Sequence, residues 1–475
     1  MPNETFTLRS AMPASAAELY AWHARPGAFQ RLAPPWEAVE LAAEDGAFGT
    51  APYRVTVRTP VVGPVKGRFV SEVYDFRPGE GFRDRQVSGP FAEWNHHHQT
   101  IADGPAASVL DDHIDYRLPL GAVGAVFGAG MVHDRLAALF AYRHALTASD
   151  LRRHAAYRDR PRLTVAVTGS RGLVGSNLAL FLATGGHAVV RFVSGTGTTP
   201  TPAVADGTRS VGWNPQTAVG AAALDGCDAV VHLAADNIAD ARWSTAKRKK
   251  IIESRTVPTR HLAEAVAALP PGRRPRVFVS ASAVGVYGDR GDEILAEDAA
   301  PGDGFLADVC RQWEAATAPA AAAGVRVVHL RIGVVLTPKG GALGKQLPAF
   351  RAGAGAVLGS GRQWVPWVTV HDLVGAIHHV LMTDALEGPV NVAAPHAVPN
   401  RAFTKALGRV LGRPAFLWLP RVALKAMFGD IADAALLASM RATPAKLLAS
   451  GFTFDHPDLE PALRFLLGRT VPATA

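Results

Sequence analysis

Thr168-Gly-Ser-Arg-Gly-Leu-Val-Gly175 is the stretch whose reading decides the fold. The residues before it, Arg162 to Val167, are mainly apolar and β-branched, as in a strand buried on both faces of a parallel sheet. Leu173 to Ala183, after it, carry helical spacing. Three glycines therefore mark a strand-to-helix turn. Gly169 allows the tight turn, Gly172 the close approach of backbone to a pyrophosphate, and Gly175 the packing of helix on strand. The start of the helix adds unpaired N–H groups and a partial positive charge. The turn predicts nucleotide binding, with Ser170, Arg171, Leu173 and Val174 beside the glycines at the contact.

Outward from this turn, His187 to Val193 reads as the second strand. An acid at its end would hold a ribose 2′-hydroxyl, but none occurs before Asp206. Arg171, Arg191 and Ser194 instead offer partners for a 2′-phosphate, which favours NADP over NAD. Asp228 to Leu233 is the fourth strand, and Leu233, Ala234 and Ala235 leave room for a nicotinamide ribose. Ser244 to Leu269 reads as a long helix, with Glu253, Ser254, Arg255 and Thr256 where it would cross beneath a dinucleotide. Arg276 to Ser280 is the next strand and runs into Ser280-Ala-Ser-Ala-Val-Gly-Val-Tyr-Gly288. Ser280, Ala281 and Ser282 thus stand at a strand's carboxyl end, where open α/β sheets place ligands. Alternating strands and helices imply a parallel sheet with right-handed crossovers.

A chain of 475 residues exceeds one ordinary core, so two or more domains are expected. The net charge of +8 has one dense basic run, Lys247-Arg-Lys-Lys250, which reads as a solvated helix face. No aromatics interleave with it, so no nucleic-acid partner is expected. Cys227 and Cys310 form no disulfide framework or thiolate metal site, which fits a reducing, cytoplasmic setting. No leader is read at the N-terminus, and no apolar run is long enough to span a membrane.

Residues 4 to 13 read as a strand, and Ser15-Ala-Ala-Glu18 as a capping box opening a helix. Further strands are expected at Trp36–Ala43, Pro52–Thr59, Val65–Phe76, Gly81–Val87, Phe91–Ile101 and Ala107–Arg117. A long helix follows, roughly Gly130 to Arg158. This order matches a curved sheet around a C-terminal helix, enclosing an apolar cavity for a hydrophobic ligand. Residues 3 to 150 resemble the SRPBCC superfamily of START-like helix-grip domains, on element order and on Gly63-Pro-Val-Lys-Gly-Arg-Phe69. Of His96-His97-His98, only the first and third share a strand face, and no cluster of acids or cysteines stands nearby in sequence. They read as surface or pocket-lining residues, and no metal is expected. Asp111-Asp112 with His113 reads as a hydrated strand end. The charged run Arg152–Arg162 holds the boundary, giving domains 1–158 and 159–475.

The second half resembles the short-chain dehydrogenase/reductase superfamily, extended epimerase/dehydratase type, in its atypical branch often called cell-division-inhibitor-like. The carrying stretches are Thr168–Gly175, His232–Ala235, Trp243 with Ser254-Arg255, Ser280–Gly288, Trp313-Glu314 and Arg331–Leu336. Gly340-Gly341, Gly359–Trp364, His371-Asp372, Asn391–Pro395 and Arg413-Pro414 complete them. The resemblance implies an α/β Rossmann doubly wound parallel sheet with a small C-terminal cap, here residues 334–368 and 396–470, after the α+β helix-grip domain. It also implies a substrate-polarising Ser and a Tyr-x-x-x-Lys pair, whose Lys lowers the Tyr pKa. Aligned on Glu314, this chain has Leu306 and Cys310 in those two places, so the ordinary dyad is absent. Ser282 and Tyr287 remain as catalytic candidates, with Asp308 and Cys310 facing the cleft as a lesser alternative. Gln363, Trp364 and Trp367 are expected to line the substrate side, and Asp372 to cap a helix. The implied activity is that of an NADP(H)-binding, or NAD(H)-binding, oxidoreductase or epimerase acting on a small, hydrophobic molecule. The alternatives are a non-catalytic dinucleotide sensor and a hydrophobic-ligand carrier; the oligomeric state stays open.

Overall fold

Alternation of inward and outward residues in the first strands sets the architecture of the N-terminal half. The computed structural model describes residues 4–62, 65–119, 121–194 and 208–470. The strands are β1 (Glu4–Met12), β2 (Glu40–Asp45), β3 (Tyr53–Val62), β4 (Val65–Arg77), β5 (Gly81–Ser88), β6 (Glu93–Ala102) and β7 (Ser108–Arg117). They form one antiparallel sheet in the order β1-β7-β6-β5-β4-β3-β2. Two helices, α1 (Ala16–Ala24) and α2 (Ala28–Arg31), follow β1, and α3 (Gly121–Ala155) follows β7. Phe6, Ile114 and Tyr116 of the sheet pack with Leu136 and Phe140 of α3 in one cluster. Part of the expected Gly63–Phe69 hairpin lies outside the described residues.

Ser15 caps α1, accepting from the Glu18 amide at 3.3 Å, but the Glu18 carboxylate turns to Arg25 at 2.8 Å. Only half of the capping box is therefore in use. Helix α3 starts at Gly121, nine residues before the expected Gly130, across glycines that the weak helix propensity of this residue hid.

The chain divides into two compact units: Met1–Arg160 with Ala183–Gly186 and Arg464–Ala475, and Pro161–Leu182 with His187–Leu463. In the second, β8 (Thr164–Thr168), β9 (Ala188–Ser194), β10 (Thr208–Trp213), β11 (Ala229–His232) and β12 (Val277–Ala283) are joined by the strands Arg326–Ile332 and Gly388–Val392. All are parallel, and the order runs β10-β9-β8-β11-β12, then Arg326–Ile332 and Gly388–Val392. The strand order reverses between β8 and β11, and such a switch point opens a crevice at the carboxyl ends. Helix α4 (Leu173–Thr184) leaves β8 there, and α5 (Thr245–Ala268) follows β11. No helix among the described residues is long and apolar enough to cross a membrane.

Beyond Arg326–Ile332 the chain builds short helices and paired strand fragments, including Ala356–Leu358 with Leu417–Leu419. The helix Val370–Met382 is capped by Thr369, not by Asp372 as expected. Asp372 sits at the third helical position, where Thr369 Oγ1 accepts its amide and donates to its carboxylate, both at 2.9 Å.

Candidate functional site

Gly169 follows β8 with φ of +66°, a left-handed turn that a side chain resists. A Cβ added there would meet the Leu233 carbonyl carbon at 2.8 Å, so the turn lies directly on the end of β11. The Gly172 amide closes onto the Gly169 carbonyl at 2.8 Å, and the Ser176 amide onto Gly172 at 3.0 Å. A Cβ on Gly175 would stand 2.3 Å from the same Gly169 carbonyl oxygen. The first turn of α4 leaves the amides of Leu173 and Val174 without intrahelical acceptors, at the positive end of the helix. This bare cradle fits a diphosphate.

Buried hydrogen bonds fix the cradle. Thr168 Oγ1 takes the amides of Leu233 and Ala234 at 3.2 and 3.4 Å and bonds His232 Nδ1 at 2.6 Å. Burial lowers the His232 pKa to about 3, so its imidazole is neutral at pH 7. Ser170 is buried and donates to the Phe192 carbonyl at 3.4 Å, while Arg171 is exposed. Arg191 lies half-buried in the sheet opposite Val167. Ser194 ends β9, and its side chain lies outside the described residues.

The loop after β11 carries half-buried Ala234 and exposed Ala235, and α5 ties it down. Ser254 Oγ accepts the Asp236 amide at 3.3 Å, and Arg255 donates to the Asp236 carbonyl at 3.0 Å. Lys247 pairs with the Asp236 carboxylate at 2.5 Å. The basic run in this helix is thus partly a brace for the loop. Glu253 forms an exposed pair with Lys249.

On the substrate side the structure corrects the catalytic expectations. Tyr287 is fully buried, and its hydroxyl bonds Asn391 Oδ1 at 2.7 Å, the Ala296 carbonyl at 3.0 Å and Arg331 Nη1 at 3.1 Å. Burial raises its pKa, against the lowering effect of Arg331. It is a structural tie rather than an acid. Ser282 is buried, and its hydroxyl proton goes to Glu314 Oε1 at 2.7 Å. Glu314 also holds Arg331 through two bonds, at 3.0 and 3.1 Å. Those partners keep the Glu314 pKa below its ordinary value despite burial, which makes it a poor base. Cys310 is buried with its thiol pushed up to about 11 by desolvation, so it stays protonated. Asp308 is an exposed partner of Arg311.

Glu314, Arg331 and Asn391 lie in the stretches that carry the resemblance, but no role for them is legible in the sequence. Glu297 joins them, accepting the amides of Asn391 and Lys446 at 3.0 and 3.1 Å. Ser280 is fully buried with its hydroxyl on the Ala281 carbonyl at 3.2 Å. Ala281 is 6% exposed.

Of the expected cleft residues, Trp367 is fully buried and donates to the His396 carbonyl at 3.1 Å, so it packs in the core. Gln363 is buried and clamps the Leu358 and Leu436 carbonyls at 3.0 and 3.2 Å. Trp364 is half-buried, bonded to Asp292 at 2.7 Å under the guanidinium of Arg441.

Residues 165–393 match the model of the NAD dependent epimerase/dehydratase family. The epimerase family protein Mb2239 of Mycobacterium bovis is 42% identical over 306 residues, 64% of this chain and 98% of that protein. The chain belongs to the epimerase family. The bovine epimerase family protein SDR39U1 is 36% identical over 306 residues, covering 64% of this family member and 99% of the relative. The human SDR39U1 structure, solved with NADPH, superposes with a TM-score of 0.58 at 33% identity, over 64% of this chain and 99% of that one. A nucleoside-diphosphate sugar epimerase from Corynebacterium glutamicum superposes with a TM-score of 0.77 at 33% identity, over 98% and 90%. This epimerase-family chain also matches a polyketide cyclase/dehydrase and lipid transport model at residues 12–140, and a domain of unknown function at 419–466.

Proposed function

We propose that this epimerase-family chain binds NADP(H) on the Thr168–Gly175 turn and acts as an oxidoreductase or epimerase on a small, hydrophobic molecule. The bare amide cradle carries this reading: side chains at Gly169 or Gly175 would collide with neighbouring backbone, so the glycines let the turn, strand and helix pack closely and leave the first helical amides bare for a diphosphate. NADPH in the human relative at 33% identity supports the choice of cofactor. When bound, the nicotinamide supplies or accepts a hydride. The Leu173 and Val174 amides hold the diphosphate. Arg171 and Arg191, with Ser194, meet the 2′-phosphate, and Leu233, Ala234 and Ala235 admit the ribose. Trp364, the half-buried member of the expected trio, borders the substrate.

A second reading, a dinucleotide sensor with little turnover, has its own support. Leu306 and Cys310 carry no acid–base function, the Tyr287 hydroxyl is locked, and Ser282 spends its proton on Glu314. The two readings separate with NADPH deuterated at the transferable position and a panel of hydrophobic aldehydes and ketones. Deuterium in a product alcohol, seen by mass spectrometry, supports the oxidoreductase. Bound cofactor with no transfer across the panel overturns it in favour of the sensor.

A further inference from the structure

A second constellation lies inside the helix-grip unit, on three neighbouring strands. His96 and His98 stand two apart on β6, so both face the same side. The antiparallel register sets Asp84 of β5 opposite His96, and Asp112 of β7 opposite His98. His144 of α3 meets Asp112 from the helix side. The expectation that Asp111-Asp112 with His113 form a hydrated strand end is thus wrong for Asp111 and Asp112, which are 8% and 2% exposed. His96 and Asp84 are likewise buried. Acids far off in sequence are brought to the histidines by strand pairing.

We propose that Asp84, His96 and His98 bind a divalent first-row transition-metal ion. One donor atom from each lies within 4.8 Å of the others. Asp84 Oδ2 is 3.0 Å from His96 Nδ1 and 3.7 Å from His98 Nε2. Donors bound to zinc at ~2.0–2.1 Å in a tetrahedron stand about 3.3 Å apart, so both spacings fall within a few tenths of an ångström of a coordinated set. Two imidazoles with one carboxylate suit zinc or iron(II).

The opposite ring nitrogens face a second carboxylate. Asp112 Oδ1 is hydrogen-bonded to His96 Nε2 at 3.2 Å and lies 2.5 Å from His98 Nδ1 as an ion-pair contact, so one carboxylate stands behind both rings. That leaves His96 Nδ1 and His98 Nε2, the two atoms facing Asp84, as the lone pairs available for a metal. A carboxylate behind each ligating imidazole is how metal sites fix the tautomer and ring orientation. The carboxylates are themselves held: His144 Nε2 is 2.7 Å from Asp112 Oδ2, Ser10 Oγ is 2.8 Å from His144 Nδ1, and Ser71 donates to Asp84 Oδ1 at 2.9 Å. A core that needed only filling would use apolar residues here; two buried carboxylates sharing one pair of imidazoles match a cation's charge and geometry. Three protein donors leave a further position for water or for an oxygen-donor ligand, the pattern of a reactive site rather than a closed structural one.

The test uses the full chain, stripped with a chelator, dialysed free of it, and titrated with zinc(II) and cobalt(II). One metal ion per chain is expected, with visible bands of a low-coordinate cobalt(II) site. X-ray absorption of the zinc form should show two imidazoles with oxygen donors, a reading that needs no variant. Asp84→Asn and His98→Gln should abolish binding, and Asp112→Asn should weaken it about 10–100-fold, as loss of an orienting partner does. Circular dichroism and retained NADPH binding would report folding of each variant. A wild-type chain that takes up no metal, a zinc spectrum without imidazole, or undiminished affinity in folded Asp84→Asn and His98→Gln would overturn the proposal.

Discussion

Gly175 and Gly169 are locked together: a Cβ on the first would lie 2.3 Å from the carbonyl oxygen of the second, closer than real Cβ contacts come. Helix α4 packs this tightly onto the turn so that its first amides face outward at the end of β8. Gly175→Val therefore must move the helix or the turn. The expected outcome is a loss of NADPH affinity of at least about tenfold, one step of 1.4 kcal/mol. Fluorescence titration of a variant with wild-type circular dichroism checks it, and unchanged affinity would count against the cradle.

Arg171 is exposed beside that cradle, and no acid ends β9. Arg171→Ala should weaken NADPH several-fold while leaving NADH unchanged, because only the former carries the 2′-phosphate. Parallel titrations with the two cofactors decide this. An equal loss for both would assign Arg171 to the diphosphate instead.

Tyr287→Phe removes a hydroxyl shared by Asn391, Ala296 and Arg331. Stability should fall by about 1–3 kcal/mol, the cost of stranding buried polar partners, with cofactor affinity unchanged. Glu314→Gln leaves the buried Arg331 guanidinium uncompensated and should cost more, about 3–5 kcal/mol. Denaturant unfolding measures both. A Tyr287→Phe protein that is stable yet loses hydride transfer would restore Tyr287 to a catalytic role.

His232 gives a pH dependence. Its folded pKa is depressed to about 3 from the usual 6.5, so its contribution is complete above 6.5 and is lost as pH falls toward 3. Within that window it steepens the loss of stability by about 1.4 kcal/mol per pH unit, one proton's worth. His232→Asn keeps an acceptor for Thr168 and should flatten the slope by that amount. Unfolding measured at several pH values between 6.5 and 4 tests it, and an unchanged slope would contradict it.

The dinucleotide turn was legible in the sequence because it is local: strand, glycines and helix follow one another within about twenty residues. The seven strands of the first unit were legible for the same reason, from alternation and turn residues. What escaped depends on pairing across the chain. Asp84 and Asp112 reach His96 and His98 only through the register of three strands. Glu314 and Arg331 meet across a helix and a strand. Trp367 and Tyr287 were read toward a cleft because aromatic and phenolic side chains suit ligands equally well as cores. Glycines disguised the first turns of α3, and Asp372 was placed one helical turn too early because Thr369 caps the same helix.

The most direct test of the account is a titration of the intact chain with NADPH, following nicotinamide fluorescence. Saturable binding of one NADPH per chain, in preference to NADH, is the predicted result. A chain that leaves the fluorescence of NADPH and of NADH unchanged at saturating concentrations would contradict it.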